Sequence, residues 1–114
     1  MQDRRQVPRY LFNGPAELSQ SPGRPALKVA LLRISIQGCF AEGPGIPPVG
    51  QKCEVSFEWE GKQFRNQAEV IWRKPNGEAG LRFLSLEQRN LETLRELCAG
   101  LRLEPLVPRR PEKD

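Results

Sequence analysis

From residue 10 to residue 18 the apolar side chains fall at Tyr10, Phe12, Ala16 and Leu18, with Asn13, Pro15 and Glu17 between them. A period of two is that of a strand with one buried face, so this stretch predicts the first strand. Residues 27–34 are apolar on both faces in their middle, at Val29, Ala30, Leu31 and Leu32, as in a strand covered on both sides. Gly38 breaks or bulges that run, and residues 39–41 follow as a short strand. Residues 53–59 alternate most cleanly: Cys53, Val55, Phe57 and Trp59 against Glu54, Ser56 and Glu58. Glu60-Gly61 predicts a tight hairpin. Residues 62–73 then pair back, with Phe64, Ala68, Val70 and Trp72 on one face. The turn Pro75-Asn76-Gly77-Glu78 leads into a sixth strand at 80–84. Phe57, Trp59, Trp72 and Phe83 all lie on apolar strand faces and are expected in the core.

After residue 84 the period changes. Leu91, Leu94, Leu97, Cys98 and Leu101 form one stripe at helical spacing. Ser85, with Gln88 three residues on, predicts a capping box at its start. Gly100 suits its end. The expected fold is therefore mainly β: a small six-stranded antiparallel β-barrel, which leaves no sheet edge open, with one C-terminal α-helix against it.

Eleven Pro and ten Gly in 114 residues fit such a chain of short elements and many turns. The length is that of one domain. Residues 1–9 read as a flexible basic arm, 10–103 as the barrel with its helix, and the Pro-rich, charged stretch 104–114 as a disordered tail. No run of 18 apolar residues is present, and the charged N-terminus leads into no apolar core of a signal peptide. Neither membrane insertion nor secretion is expected.

Cys39, Cys53 and Cys98 are odd in number and far apart in sequence, which predicts buried free thiols in a reducing cytoplasm rather than disulfides or a zinc site. Histidine is absent. That removes the commonest general base and metal ligand. No P-loop or G-x-S-x-G occurs either. The chain is expected to be no enzyme and to hold no metal or cofactor. The net charge of +4 is concentrated at the start: residues 1–9 carry three Arg against one Asp, while the body is nearly neutral. Such a distribution suits a local anion site better than a nucleic-acid face.

Two motifs could form that site. Arg5-Gln6-Val7-Pro8-Arg9, preceded by Arg4, stands just before the first strand. Arg33-Ile34-Ser35-Ile36-Gln37-Gly38 closes the second. Together they resemble the PilZ domain family, whose pattern is RxxxR followed by [D/N]xSxxG. Gly80-Leu81-Arg82-Phe83-Leu84 is similar to that family's last strand, and the resemblance spans about residues 4–101.

The resemblance implies a bacterial, cytoplasmic receptor for the second messenger cyclic di-GMP, acting on a downstream protein partner. An Arg fork matches the two acceptors on a guanine's major-groove edge and can stack on the purine. The phosphates require cations and hydroxyl or backbone donors. Arg5 and Arg9 would then grip guanine and phosphate from the arm, with Arg4 adding a contact. Ser35 would donate its hydroxyl from the barrel, and Gly38 would admit the ligand's close approach. Position 33 departs from the pattern: Arg33 replaces an Asp or Asn acceptor and can only donate. Either Arg33 turns to a phosphate, or the site is degenerate and the domain acts as a protein-interaction adaptor without nucleotide.

Overall fold

The computed structural model describes residues 8–20 and 25–103. The expectations for most of the arm and for the tail lie outside the described residues. Six strands form: β1 (Tyr10–Ser19), β2 (Leu27–Ile34), β3 (Gly38–Glu42), β4 (Lys52–Trp59), β5 (Lys62–Arg73) and β6 (Glu78–Phe83), followed by the helix α1 (Gln88–Ala99). Every pairing is antiparallel, and the order β1-β2-β3-β6-β5-β4 closes on itself as a barrel. This is the six-stranded barrel with one helix that the periodicity predicts. No helix among the described residues is long and apolar enough to cross a membrane.

The inner face is the alternating apolar set. Leu18, Leu31, Val55, Phe64, Val70 and Leu81 are at most 2% exposed, and burial of each stabilises the fold by about 1.5–3 kcal/mol. Four aromatic rings step across the interior. Phe12 lies 5.8 Å from Phe57, Phe57 stacks on Phe64 at 4.7 Å, and Phe64 meets Phe83 at 5.3 Å. Such pairs add about 0.5–1.5 kcal/mol beyond their area. Cys39, Cys53 and Cys98 are buried free thiols within the same core.

The turns follow their sequence signals. Between β4 and β5, Glu60 and Gly61 both take positive φ (49° and 79°), as a two-residue turn joining twisted strands requires. Between β2 and β3 the chain reverses at Ser35-Ile36-Gln37-Gly38, and the Ser35 N–H donates to the Gly38 carbonyl at 2.9 Å. Gly38 thus ends a hairpin instead of bulging a continuous strand.

The helix start differs from expectation. Glu87, not Ser85, is the N-cap residue, and no side chain caps the helix. Ser85 adopts a left-handed backbone (φ 48°). The Leu84 N–H still donates to Gln67 in β5 at 2.8 Å, so the chain must turn sharply before helical geometry can begin. The helix is held by a clasp that the apolar pattern does not announce. Asn90 donates from Nδ2 to the Arg65 carbonyl (2.6 Å) and to Asn66 Oδ1 (2.9 Å). Asn66 Nδ2 donates in turn to the carbonyls of Gln67 (2.9 Å) and Leu84 (2.8 Å). Both side chains are buried, so the network ties β5, the end of β6 and α1 together through four hydrogen bonds. Leu94, Leu97 and Cys98 bury the predicted stripe. Beyond α1, the Arg102 carbonyl accepts the Leu11 N–H at 2.8 Å and Leu103 bridges Tyr10. The start of β1 and the end of the helical segment therefore lie side by side.

Candidate ligand-binding site

The second motif builds a turn before it can bind anything. Ser35 is 7% exposed. Its Oγ accepts the N–H groups of Gln37 (3.0 Å) and Gly38 (3.3 Å), the local bonding that favours Ser at such a turn. Its own proton reaches only the Gly38 carbonyl at 3.5 Å, a weak bond by length. That proton can be donated to a ligand oxygen at small cost. Gly38 is explained by the barrel. A Cβ there would sit 2.0 Å from the Leu81 carbonyl oxygen, so the close approach is that of β6, across the pairing of Gly38 with Arg82.

Arg33 pairs with Phe40 across β2 and β3. The neighbours of Phe40 in β3, Cys39 and Ala41, are buried in the core. Phe40 and its register partner Arg33 therefore share the outer face of the barrel. The Arg33 Nη1 donates to the Leu32 carbonyl at 3.2 Å. On the same face, the guanidinium of Arg9 lies over the Phe40 ring, 4.9 Å from its centroid. Arg9 and Arg33, 24 positions apart in the chain, are thus both brought to Phe40, Arg9 over its ring and Arg33 as its register partner. Arg4 and Arg5 lie outside the described residues.

Trp72, expected in the core, joins Phe40 on this surface. Phe40 pairs with Gly80, and Gly80 with Trp72. The register of β5 against β6 shifts between Val70 and Trp72. This irregularity takes Trp72 off the inner face that Phe64, Ala68 and Val70 share, so the expectation for Trp72 was misplaced. Its indole lies over Gly80, where a Cβ would come within 2.3 Å of Nε1. Trp72 and Phe40 meet edge to face at 5.0 Å and 77°. The Lys74 ammonium stands 5.5 Å from the indole centroid. Together they form an outer-face shelf of two aromatic rings, with Arg9 on one ring and Lys74 at the other. The strict period of two concealed Trp72. The signal that could have revealed it is Gly80, because a glycine inside a strand often marks close approach by another group. Phe57 and Phe83 are buried as expected, and Trp59 is partly buried against the core.

Chemically, the face offers two aromatic rings set edge to face, two guanidiniums and an ammonium, with the Ser35 turn at the end of β2. That combination suits an anionic ligand with flat heterocycles. Among the described residues no group of Cys, Asp or Glu side chains could hold a metal ion. A groove of about 440 Å³ runs elsewhere, between β1 and β4, lined by Glu17, Lys28, Ser56, Glu58, Gln63 and Arg65. Its charges are of both signs, and none of the described motif residues lines it.

Comparison with known proteins agrees with the motifs. The family model of the PilZ domain matches residues 3–100. Comparison with curated proteins finds no match. Among solved structures, the PilZ domain of CeSA from a cellulose-synthesizing bacterium is similar, with TM-score 0.65, 16% identity, and 81% of this chain and 95% of that one covered. The PilZ domain of YcgR from Escherichia coli, solved with c-di-GMP, gives TM-score 0.65 and 16% identity over 87% and 92%. The Bacillus subtilis inhibitor of motility MotI/DgrA gives 0.68 and 16% over 86% of this chain and half of its own length. With the family model matching from residue 3 to residue 100 and the fold a six-stranded barrel with one helix, the chain belongs to the PilZ domain family, whose members are ligand-binding modules.

Proposed function

We propose that this domain is a cyclic di-GMP receptor that holds the ligand between its Arg-rich arm and the outer face formed by β2, β3, β6 and β5. One observation carries the reading: Arg9, from the first motif, lies 4.9 Å over Phe40, the register partner of Arg33 from the second. The structural relative YcgR, solved with c-di-GMP, supports it. A guanine stacks on one ring of the edge-to-face Phe40–Trp72 pair, each stacked base contributing about 1–3 kcal/mol. Arg9, with Arg4 and Arg5 from the arm, and Arg33 hold the acceptor edge of guanine and the phosphates. Ser35 donates its spare proton to a phosphate oxygen. Fixing the arm costs about 1–2 kcal/mol per residue, which charge-assisted bonds of about 1.5–3 kcal/mol each offset. The ordered arm is then the signal that a protein partner reads in the cytoplasm.

Calorimetric titration tests the reading. Wild type is expected to bind cyclic di-GMP at micromolar or lower concentration and to ignore GTP, and Arg9→Ala is expected to weaken binding at least tenfold with an unchanged melting temperature. No heat from wild type up to several hundred micromolar ligand refutes it. That outcome favours a second reading, a nucleotide-blind adaptor, for which the observation is Arg33, a donor-only side chain at the family's acceptor position.

A further inference from the structure

The cationic groups around the shelf answer only half of a guanine. Arg9, Arg33 and Lys74 are donors without acceptors. They serve O6, N7 and the phosphates. The opposite edge of the base carries N1–H and the N2 amino group, which need an acceptor. Three carboxylates lie on the outer face around the shelf. Glu69 pairs with Arg82 across β5 and β6, and its Oε1 takes the Arg82 guanidinium at 2.8 Å. Glu78 has the Lys74 ammonium at 3.9 Å. Glu42 is exposed, and among the described residues it has no hydrogen bond or ion pair. It follows Phe40 by two residues, about 7 Å along the same face of β3. Its register partners are Ala30 in β2 and Glu78 in β6. Like charges placed directly across two strands are destabilising, so Glu42 costs the free protein something that a donor-rich ligand edge would relieve.

We infer that Glu42 is the specificity-determining acceptor of this site, taking the N1–H and N2–H donors of a guanine stacked on one ring of the Phe40–Trp72 pair. The inference rests on the cyclic di-GMP reading above and deepens it. It also gives the site an acceptor although position 33 is Arg: recognition of the donor edge moves from β2 to the far end of β3.

The sign of one measurement separates this role from a bystander's. Cyclic di-GMP is a dianion, so removing a nearby carboxylate that makes no bond to it should leave binding unchanged or tighten it. Removing an acceptor should weaken it, by about ten- to a hundredfold for a charged hydrogen bond. Calorimetry is run on wild type, Glu42→Ala and the control Glu54→Ala on β4. A second ligand, cyclic di-inosine monophosphate, lacks only the N2 amino groups. The expected result is weakening of at least tenfold in Glu42→Ala and none in Glu54→Ala. Wild type is expected to discriminate against the inosine ligand, and Glu42→Ala to lose that discrimination. Binding by wild type with unchanged or tighter binding by Glu42→Ala overturns the assignment of Glu42 and leaves the receptor reading intact. No binding by wild type overturns both.

Discussion

Gly38 and Gly80 stand opposite Arg82 and Phe40 in neighbouring rows of β3 and β6, yet they lack side chains for different reasons. At Gly38 the obstacle to a Cβ is the Leu81 carbonyl oxygen at 2.0 Å, part of the backbone. Backbone cannot yield without losing the strand pairing. At Gly80 the obstacle is the Trp72 indole, which is on the outer face and can swing away. Gly38→Ala is therefore expected to cost about 3 kcal/mol or more in urea unfolding. Gly80→Ala should cost about 1 kcal/mol while evicting the indole, and should lower affinity for cyclic di-GMP about tenfold through lost stacking. Equal destabilisation by the two would refute the shelf as a surface feature. The Gly of the second motif was legible as a residue, but its reason was not. Sequence shows that a glycine is present, and only the neighbouring strand shows what it makes room for.

Helix α1 illustrates the same limit at the scale of the element. Its apolar stripe is readable, and Leu94, Leu97 and Cys98 are buried as the spacing requires. Its start is not, because Ser85 serves the turn out of β6 and not the cap. Nor is the Asn90–Asn66 clasp, since two Asn residues 24 positions apart carry no periodic signal. Asn90→Ala would leave Asn66 Oδ1 and the Arg65 carbonyl buried without this donor, at about 1–3 kcal/mol. A lower urea midpoint with an unchanged m-value is the expected result. Asn66→Ala in addition should cost much less than a second independent loss, because each side chain's cost depends on the other. Fully additive costs would show that the two amides do not act as a unit.

For the whole molecule, the buried thiols set an alkaline limit. Burial pushes Cys39 up from 9.0 to about 12, with nearby Cys53 adding to the effect, and pushes Cys53 and Cys98 up to about 11. A thiol with a raised folded pKa contributes stability that is fully present below its unfolded value. That stability is lost as pH rises through the folded value, because the unfolded chain releases its proton first. The melting temperature is thus expected to fall between about pH 9 and pH 12, and Cys39→Ala to flatten that fall. A melting temperature independent of pH across this window would contradict the burial of these groups. The closed barrel is what creates the effect, since three scattered cysteines reach one dry interior only when β4 returns to β1.

By itself the sequence determined which segments become strands, where the chain turns and where the helix lies, because each of these depends on neighbours within a few residues. Periods of two and of 3.6, a glycine at a positive φ and a Ser bonding its own turn are local facts. It also marked Arg9, Arg33, Ser35 and Gly38 as belonging together. Only the tertiary structure decided which face Trp72 occupies, that Phe40 carries Arg9, and that Glu42 stands two residues beyond on the same side. Those outcomes depend on register between strands distant in the chain. A single shift between Val70 and Trp72 changes the side to which an aromatic ring belongs. No local pattern records such a shift, because the hydrogen bonds that fix it are made by β6.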